Sequence, residues 1–432
     1  MTESSRDRLE QALARIAEPT GEGARACLTV YADAARAAAD AADARAKAGV
    51  ALGPLDGAIV SIKDLFDVAG EPTRAGSKVL AEEAKPAAAD APVVRRLRRA
   101  GAVIAAKTNM TEYAFSGVGM NPHYGTPGNP ADRSRVPGGS TSGGAVAVAD
   151  GMCEIAIGTD TGGSTRIPAA MCGIAGFKPS AQRVPTEGAF PLSFSLDSIG
   201  PMARTVADCA LADAVMAGEE PEPLEPAPLA GLRIGALQGL VLTSTDETVG
   251  RRYPAGLDRL AEAGVRLSDE KLTLIDAMVE TNSLGGLAPP EAFMIHRDRL
   301  ARRASDIDPN VSVRIARGGE ISAADYIFSL RRRAELARAM DAALADFDAF
   351  VWPTTPIVAP TIAEMGDPKT FAINNGLLLR NTAIVNFFDL CAISLPLPGD
   401  GLNCGLMLVG RNGADRRLFR IAAAVERSLC PM

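Results

Sequence analysis

The sequence predicts an α/β fold, with a single large domain in which a central mixed β-sheet is covered by helices on both faces. Short apolar runs alternate along the chain with alanine-rich or charged segments of helical spacing, the pattern of a sheet connected by helices. The chain has 432 residues, of which 47% are hydrophobic and 22% charged, so it can fill one large core. No internal repeat of solenoid period interrupts this alternation.

The first half of the chain shows the alternation most clearly. Residues 5–17 and 32–48 are alanine-rich with interspersed Arg, Asp and Glu, and they predict surface helices. The elements expected after them are a strand at 57–62 leading to Lys63, a helix at 90–101, a strand at 102–108, a helix at 145–151 and a strand at 153–160. Strand and helix therefore follow one another through the region that carries the most distinctive motifs.

The second half is more variable. The segment "EEPEPLEPAPLA" (219–230) predicts an exposed connection, and "GLRIGAL" after it predicts a strand. Residues 250–345 predict a mainly helical, charged region, and residues 347–410 predict short strands with Pro/Gly turns. We expect one domain over 1–432, divided into N-terminal helices (about 1–50), a core (about 51–215), a variable helical region (about 220–345) and a C-terminal return to the sheet (about 346–432).

Composition excludes several classes of function. The net charge of -7 gives no electrostatic support for binding nucleic acid or an anionic membrane. No apolar stretch reaches membrane-spanning length, and the N-terminus has no signal-peptide pattern. The seven scattered cysteines are odd in number and lack C-x-x-C spacing, which indicates reduced thiols in the cytoplasm. Only two histidines occur, so no metal site is expected.

Two glycine-wrapped serine clusters carry the chemical signal: "PGGSTSGG" around Ser140 and "GTDTGGSTRIP" around Ser164. Consecutive glycines beside a hydroxyl let several backbone N–H groups converge on one point, as an oxyanion hole requires, although tight turns also use glycine. Neither the G-x-S-x-G elbow nor a phosphate-binding loop occurs. His123 and His296 stand in settings typical of structural histidines, so a histidine-based triad is disfavoured.

A lysine can replace histidine as the base if its amine is neutral. Its pKa of about 10.4 must then fall by roughly 3, at about 4 kcal/mol, which burial and neighbouring donors can supply. Lys63 is the best-placed candidate because it follows the apolar run "GAIVSI". Ser268 and Lys271 match S-x-x-K, but they lie in a run of charges without the motifs that accompany that pattern.

Three stretches, "GPLDGAIVSIKDLFDVAG", "PGGSTSGGAVAVADG" and "IGTDTGGSTRIPAAMCGIAGFKPS", resemble in this order the amidase signature family of Ser-cisSer-Lys hydrolases. Similarity continues through "SLDSIGPMARTVADC", "DAFVWPTTPIVAP", "NTAIVNFFDLCAISLP" and "RLFRIAAAVERSL". The resemblance covers most of the chain and is loosest over 220–340. It implies the amidase signature fold and hydrolysis of a linear amide without any cofactor or metal.

Carried over residue by residue, the resemblance assigns three catalytic groups: Lys63 as base, Ser140 as the bridging serine and Ser164 as nucleophile. It implies a cis peptide bond between Gly139 and Ser140. It further implies an oxyanion hole formed by the backbone N–H groups of Thr161, Gly162, Gly163 and Ser164, and loop support from Gly139, Asp160 and Arg166. A proton would pass from Ser164 to Ser140 to neutral Lys63, and Ser164 would attack the amide carbonyl.

The sequence also departs from the family's common pattern near the C-terminus, at Asp389, Cys391, Asn403, Cys404 and Met407. This region often borders the acyl pocket in the family, so we expect an unusual substrate, with Asp389 either a ligand or an exposed turn residue. A small polar or dicarboxylic amide is favoured. Three alternatives remain: the glutamine-hydrolysing subunit of a tRNA-dependent amidotransferase, an esterase, and a non-catalytic binding protein. The resemblance also admits a homodimer.

Overall fold

The apolar runs become the strands of one eleven-stranded sheet in the computed structural model, which describes residues 3–429. The strands are β1 Cys27–Val30, β2 Ile59–Lys63, β3 Val103–Thr108, β4 Ile155–Asp160, β5 Ala175–Lys178, β6 Ser198–Ala203, β7 Arg233–Leu237, β8 Arg266–Glu270, β9 Ala349–Pro353, β10 Cys391–Pro396 and β11 Gly405–Gly410. Their order is β1-β3-β2-β4-β6-β5-β10-β11-β9-β7-β8. β3, β2 and β4 run parallel, as do β9, β7 and β8, whereas the strands between these groups pair antiparallel. The predicted mixed sheet is confirmed.

The fifteen α-helices of residues 3–429 connect these strands. They are α1 Ser5–Ala17, α2 Gly23–Ala26, α3 Ala32–Ala48, α4 Lys78–Glu83, α5 Pro92–Arg99, α6 Ser142–Ala149, α7 Arg166–Cys172, α8 Val206–Ala217, α9 Glu247–Glu262, α10 Leu274–Asn282, α11 Ala288–Arg303, α12 Pro309–Arg317, α13 Ala323–Ala343, α14 Pro368–Phe387 and α15 Asp415–Leu429. α1 and α3 coincide with the predicted surface helices, and α6 begins three residues earlier than expected.

Helices cover both faces of the sheet, as β2 illustrates. Ile59 packs in a cluster with apolar residues of α1, α3 and α6. Val60 and Ile62 belong to a second cluster with residues of α5 and α8. Successive side chains of a strand point to opposite faces, so a wholly buried strand reads as a continuous apolar run. The same alternation directs the side chain of Lys63 toward the α6 face.

One stretch of the secondary-structure prediction is wrong. Residues 347–410 were expected to form short strands and turns, but they also contain the twenty-residue helix α14. Asparagines at 375, 381 and 386 lower its intrinsic helix propensity, yet all three side chains are buried and form hydrogen bonds with neighbouring elements. Tertiary contacts therefore stabilise a helix that its local sequence does not favour.

Candidate active site

The carboxyl ends of β2 and β4 meet at one edge of the sheet because these two strands are parallel neighbours. Lys63 is the last residue of β2, and Ser140 lies just before α6. The Lys63 Nζ donates hydrogen bonds to Ser140 Oγ at 2.8 Å and to Thr159 Oγ1 at 2.9 Å. All three side chains are buried. The lysine and the first serine cluster, 77 residues apart in the sequence, are thus in direct contact.

The environment of Lys63 favours a neutral amine. Burial lowers its pKa from 10.5 to about 7, against the opposing effect of the Asp160 and Asp197 carboxylates. At neutral pH a large fraction of the amines is therefore unprotonated and able to accept a proton from Ser140. A lysine can act as the base only if its amine is neutral, and the buried position of Lys63 in the fold favours this neutral form.

The first serine cluster passes close to a neighbouring loop. The Gly139–Ser140 peptide bond is cis, as the resemblance implied. The Gly139 N–H donates to the carbonyl of Gly117 at 2.8 Å. A Cβ on Gly139 would lie 2.7 Å from the Cα of Gly119, so this position has no room for a side chain. The Thr111 N–H donates to the carbonyl of Ser140 and holds the other side of the bond.

The second serine cluster is the turn between β4 and α7. Ser164 is almost fully buried, and its carbonyl accepts a hydrogen bond from the N–H of Thr141. This contact joins the two serine loops. Gly163 has φ +134, and a Cβ there would lie 2.1 Å from Thr382 Oγ1. Only glycine fits at this point of the turn.

Asp160 and Arg166 brace the turn from beneath. The Asp160 carboxylate accepts hydrogen bonds from the N–H groups of Gly163 and Thr165 and forms a buried ion pair with Arg166. Asn386 of α14 donates to the same carboxylate. Burial opposes ionisation of Asp160, but the Arg166 guanidinium and these hydrogen bonds hold its pKa well below its usual range. The ion pair thus fixes the backbone of the loop, as expected for a supporting role.

The loop leaves three N–H groups without partners. Thr161, Gly162 and Ser164 donate no backbone hydrogen bond to any of residues 3–429, whereas the Gly163 N–H already donates to Asp160. Of the four predicted oxyanion donors, three are available and the fourth serves to shape the turn. Thr161 is further held through its hydroxyl, which donates to Asp197 Oδ1. Burial raises the pKa of Asp197 to about 6.

Ser164, Thr161 and Gly162 open into a cavity of about 190 Å³. Its walls are largely apolar and include Phe115, Leu192, Leu196, Leu287 and Leu379. Binding pockets for drug-sized ligands are typically about 300–1,000 Å³, so this cavity suits a small acyl group. Ser164 is 4% exposed, so water has limited access to its side chain, which strengthens the polar interactions made there.

The C-terminal departures from the family pattern lie elsewhere. Asp389 has φ +61 at the turn after α14 and pairs with Arg333, so it is a turn residue and not a ligand. Met407 Sδ accepts from Arg166 beneath the serine loop. None of the five departing positions lines the cavity. The expectation that they alter the acyl pocket is wrong, because β10 and β11 run behind the loop.

The cavity is completed by residues that the sequence did not indicate. Asn282 and Arg314 come from the variable helical region, where the resemblance is loosest. The sequence could have indicated Asp197, which accepts the hydrogen bond of Thr161, because it lies in the stretch "SLDSIGPM" that carries part of the resemblance. Arg314 had no such signal because it is one of many arginines in a charged helical segment.

The histidines and the S-x-x-K match have other roles. His123 bonds Glu112 at 2.9 Å, and His296 is buried against the ring of Tyr113, where burial lowers its pKa to about 3. Ser268 lies on β8 at the sheet edge. Over residues 3–429 we find neither a cluster of potential metal ligands nor a helix with the length and apolar character needed to cross a membrane.

The chain is similar to known proteins over nearly its whole length. The model of the Amidase family matches residues 7–419. The 2-amino-5-chloromuconic acid deaminase of Comamonas testosteroni is 38% identical, over 91% of this chain and 86% of that protein. A glutamyl-tRNA(Gln) amidotransferase subunit from Anaeromyxobacter sp. (strain K) is 36% identical over 99% and 94%. A crystal structure described as an amidase superimposes with a TM-score of 0.88 at 32% identity, over 99% of this chain and 97% of the other.

Proposed function

Because the chain belongs to the amidase family, we propose that it hydrolyses the C–N bond of a small amide through an acyl-enzyme on Ser164. Hydrolysis of C–N bonds is what the family and its relatives share, and the protein is an amidohydrolase. The observation that carries the proposed mechanism is the contact between the Lys63 amine and Ser140, with the pKa of Lys63 lowered to about 7.

Acylation begins with proton transfer toward Lys63. Neutral Lys63 accepts the proton of Ser140 Oγ, and Ser140 accepts the proton of Ser164 Oγ as that oxygen attacks the amide carbonyl. The developing oxyanion is stabilised by the free N–H groups of Thr161, Gly162 and Ser164, each worth about 3 kcal/mol in comparable sites. The proton then returns through Ser140 to the leaving ammonia or amine. Water enters by the reverse path and releases the carboxylic acid.

The support of the loop makes these donors rigid before the substrate binds. The Asp160–Arg166 pair and Thr382 hold the turn from both sides: Thr382 Oγ1 donates to the carbonyl of Gly162 at 2.6 Å. Donors that are already oriented cost no reorganisation as charge develops on the carbonyl oxygen. The buried ion pair therefore acts on the reaction through the backbone of the loop.

The test is ammonia release from a panel of primary amides. Wild type is compared with Ser164→Ala, Ser140→Ala and Lys63→Ala, and with Ser142→Ala as a matched control. Ser142 is a buried serine at the start of α6, two residues after Ser140, and its hydroxyl has no hydrogen-bond partner among residues 3–429. We expect the three catalytic variants to lose at least about a thousandfold in kcat and the control to remain within a few-fold of wild type.

Labelling by a fluorophosphonate, located by mass spectrometry, supplies a readout that needs no substrate. An adduct on Ser164 in wild type, absent in Lys63→Ala, supports the relay. Ammonia release that survives Ser164→Ala would refute the nucleophile assignment. A protein that neither labels nor hydrolyses any amide would be the non-catalytic binding protein.

A second candidate is the glutamine-hydrolysing subunit of a tRNA-dependent amidotransferase, favoured by the 36% identity over 99% of the chain. It uses the same residues but passes ammonia to a partner. Co-purification of obligatory partner subunits, with glutamine hydrolysis only in their presence, would favour it. An esterase would instead cleave a matched ester far faster than the amide of the same acid. The ratio of the two rates would exceed the ratio expected from the intrinsic reactivity of esters and amides.

We further propose that the protein acts in the cytoplasm. All six cysteines among residues 3–429 are buried and unpaired, which supports the reducing cytoplasm as the place of action. The predicted homodimer remains a prediction, and light scattering of the purified protein checks it.

A further inference from the structure

One wall of the cavity that holds Ser164 is a loop, residues 192–196, that apolar packing anchors only weakly. Leu192 and Leu196 line the cavity. Between them, the Phe194 side chain is 60% exposed, so it buries little surface that would hold the middle of the loop. The position of this wall therefore depends on the polar contacts of the loop.

Glu291 of α11 binds this loop without lining the cavity itself. Glu291 is 2% exposed. Its Oε2 accepts hydrogen bonds from the Ser193 hydroxyl at 2.6 Å and from the Ser195 N–H at 3.1 Å. Its Oε1 accepts hydrogen bonds from the Ser195 hydroxyl at 2.6 Å and from the Tyr326 hydroxyl of α13 at 3.0 Å. We call the three bonds to Ser193 and Ser195 the Glu291 clamp.

Helix packing does not require a carboxylate at this position. Transfer of a carboxylate out of water costs free energy, and hydrogen bonds from neutral groups offset that cost only where the set is complete. A methionine or leucine would pack between α11 and α13 without this cost. What the carboxylate adds is a fixed geometry, because three of its four hydrogen bonds come from one short loop.

The clamp joins two walls of the cavity. Residues 287–289 at the start of α11 also line the cavity, and Glu291 follows them in the same helix. A helix is a rigid element, so the clamp fixes the loop that carries Leu192 and Leu196 relative to the start of α11. The space between these two walls is therefore held at its present size by one side chain.

The ends of the loop are tied to the oxyanion turn by a different residue. Asp197 accepts hydrogen bonds from the N–H groups of Leu192 and Ser193. It also accepts one from the hydroxyl of Thr161, in the turn that carries Ser164. Loss of the clamp should therefore release the middle of the loop and let the leucine side chains move outward, while the turn and its N–H donors stay in place.

We propose that Glu291 is a positioning residue that determines the length of the acyl chain the enzyme accepts. It acts through Leu192 and Leu196, which it holds around a cavity of about 190 Å³. The variable helical region, where the resemblance is loosest, then sets the size of the substrate. This inference rests on the proposed function, because the acyl group must lie in this cavity when Ser164 attacks the amide.

The kinetic test uses primary amides of increasing chain length: acetamide, butyramide, hexanamide and octanamide. We expect kcat/KM of wild type to fall by on the order of a hundredfold from butyramide to octanamide. Glu291→Ala should narrow this ratio by about tenfold, through a lower KM for octanamide, with kcat for butyramide within a few-fold of wild type. Glu291→Gln should restore the wild-type ratio: its amide oxygen can accept from the Ser195 N–H, and its amide nitrogen can donate to the hydroxyls of Ser195 and Tyr326.

Three further variants separate the clamp from general effects on the helices. Tyr326→Phe removes the one bond that does not come from the loop, and it should retain the wild-type ratio. Asp298→Asn alters an exposed carboxylate of the same helix and should also retain it. Ser193→Ala combined with Ser195→Ala removes two of the three clamp bonds while Glu291 stays, so it should shift the ratio in the same direction as Glu291→Ala. This variant carries the test if Glu291→Ala does not fold.

A binding test separates this inference from the proposed function. Ser164→Ala is titrated calorimetrically with butyramide and octanamide, and the titration is repeated with Glu291→Ala added. Octanamide binding that is gained only with Glu291→Ala supports the inference even if Ser164 is not the nucleophile. An unchanged chain-length ratio in Glu291→Ala, or an equal loss on every amide, would overturn the inference and leave the Ser164 mechanism standing. If neither amide binds, the inference is also overturned, whereas labelling of Ser164 tests the proposed function separately.

Discussion

Replacement of Lys63 by methionine should abolish activity and make the protein more stable. Burial disfavours the charged form of Lys63, and its pKa falls from 10.5 to about 7. At about 1.4 kcal/mol per pH unit, this difference costs about 5 kcal/mol of folding free energy. Methionine removes the cost, but it leaves Ser140 and Thr159 without the amine, a loss of about 1–3 kcal/mol. We expect a net stabilisation of about 2–4 kcal/mol at pH 6.

The pH dependence identifies the cause of that gain. The pKa of Lys63 is lower in the folded than in the unfolded chain, so between pH 7 and 10.5 the unfolded chain binds the extra proton. Wild-type stability therefore rises with pH across this window relative to the variant. The free-energy cost of burying the Lys63 amine is fully present below pH 7 and disappears as the pH approaches 10.5. The advantage of Lys63→Met should accordingly shrink as the pH is raised.

Urea unfolding at pH 6, 7.5 and 9, followed by fluorescence of the single buried Trp352, measures the difference. Lys47→Met on the exposed surface of α3 is the matched control and should show no such pH-dependent gain. A Lys63→Met variant that is less stable than wild type at pH 6, or whose advantage stays constant up to pH 9, would refute the argument that burial lowers the pKa of this lysine.

Three further predictions concern the surroundings of the site. Asp197 raises the pKa of Lys63, so Asp197→Asn should move the acidic limb of the kcat–pH profile to lower pH, a shift that simple loss of packing would not produce. Gly163→Ala, which presses a methyl group against a threonine hydroxyl of α14, should cost at least about 1–3 kcal/mol of stability and most of the activity. Gly376→Ala, on the same helix with nothing within 4 Å, should instead be neutral or stabilising in the same urea assay. His296→Gln should keep kcat within a few-fold of the wild-type value in the ammonia assay, even if it lowers the melting temperature, because His296 packs on Tyr113 outside the cavity. A loss of kcat as large as that of Ser164→Ala would contradict a purely structural role for His296.

The candidate site residues could be proposed from the sequence because each lies in a local motif, and the family resemblance carried by these motifs assigned their roles. Lys63 follows a continuous apolar run, and Ser140 and Ser164 stand in glycine-rich turns next to strands. Buried strands and tight turns depend on local periodicity and on glycine, so short motifs indicate them well. The alternation along β2 places Lys63 on the α6 side of the sheet, but its contact with Ser140, 77 residues away, depends on the tertiary structure.

Tertiary structure alone decided the lining of the cavity beside Ser164 and the length of α14. Arg314 belongs to a charged helical segment whose pattern is that of an ordinary surface helix, and only the packing of α12 over the serine loop brings its guanidinium to the cavity. α14 forms despite its asparagines because their side chains find partners on other elements. The local sequence determines which residues are buried and how buried and exposed residues alternate along an element. Which distant residue each of them contacts depends on how separate elements pack against one another, and no local sequence pattern encodes this packing.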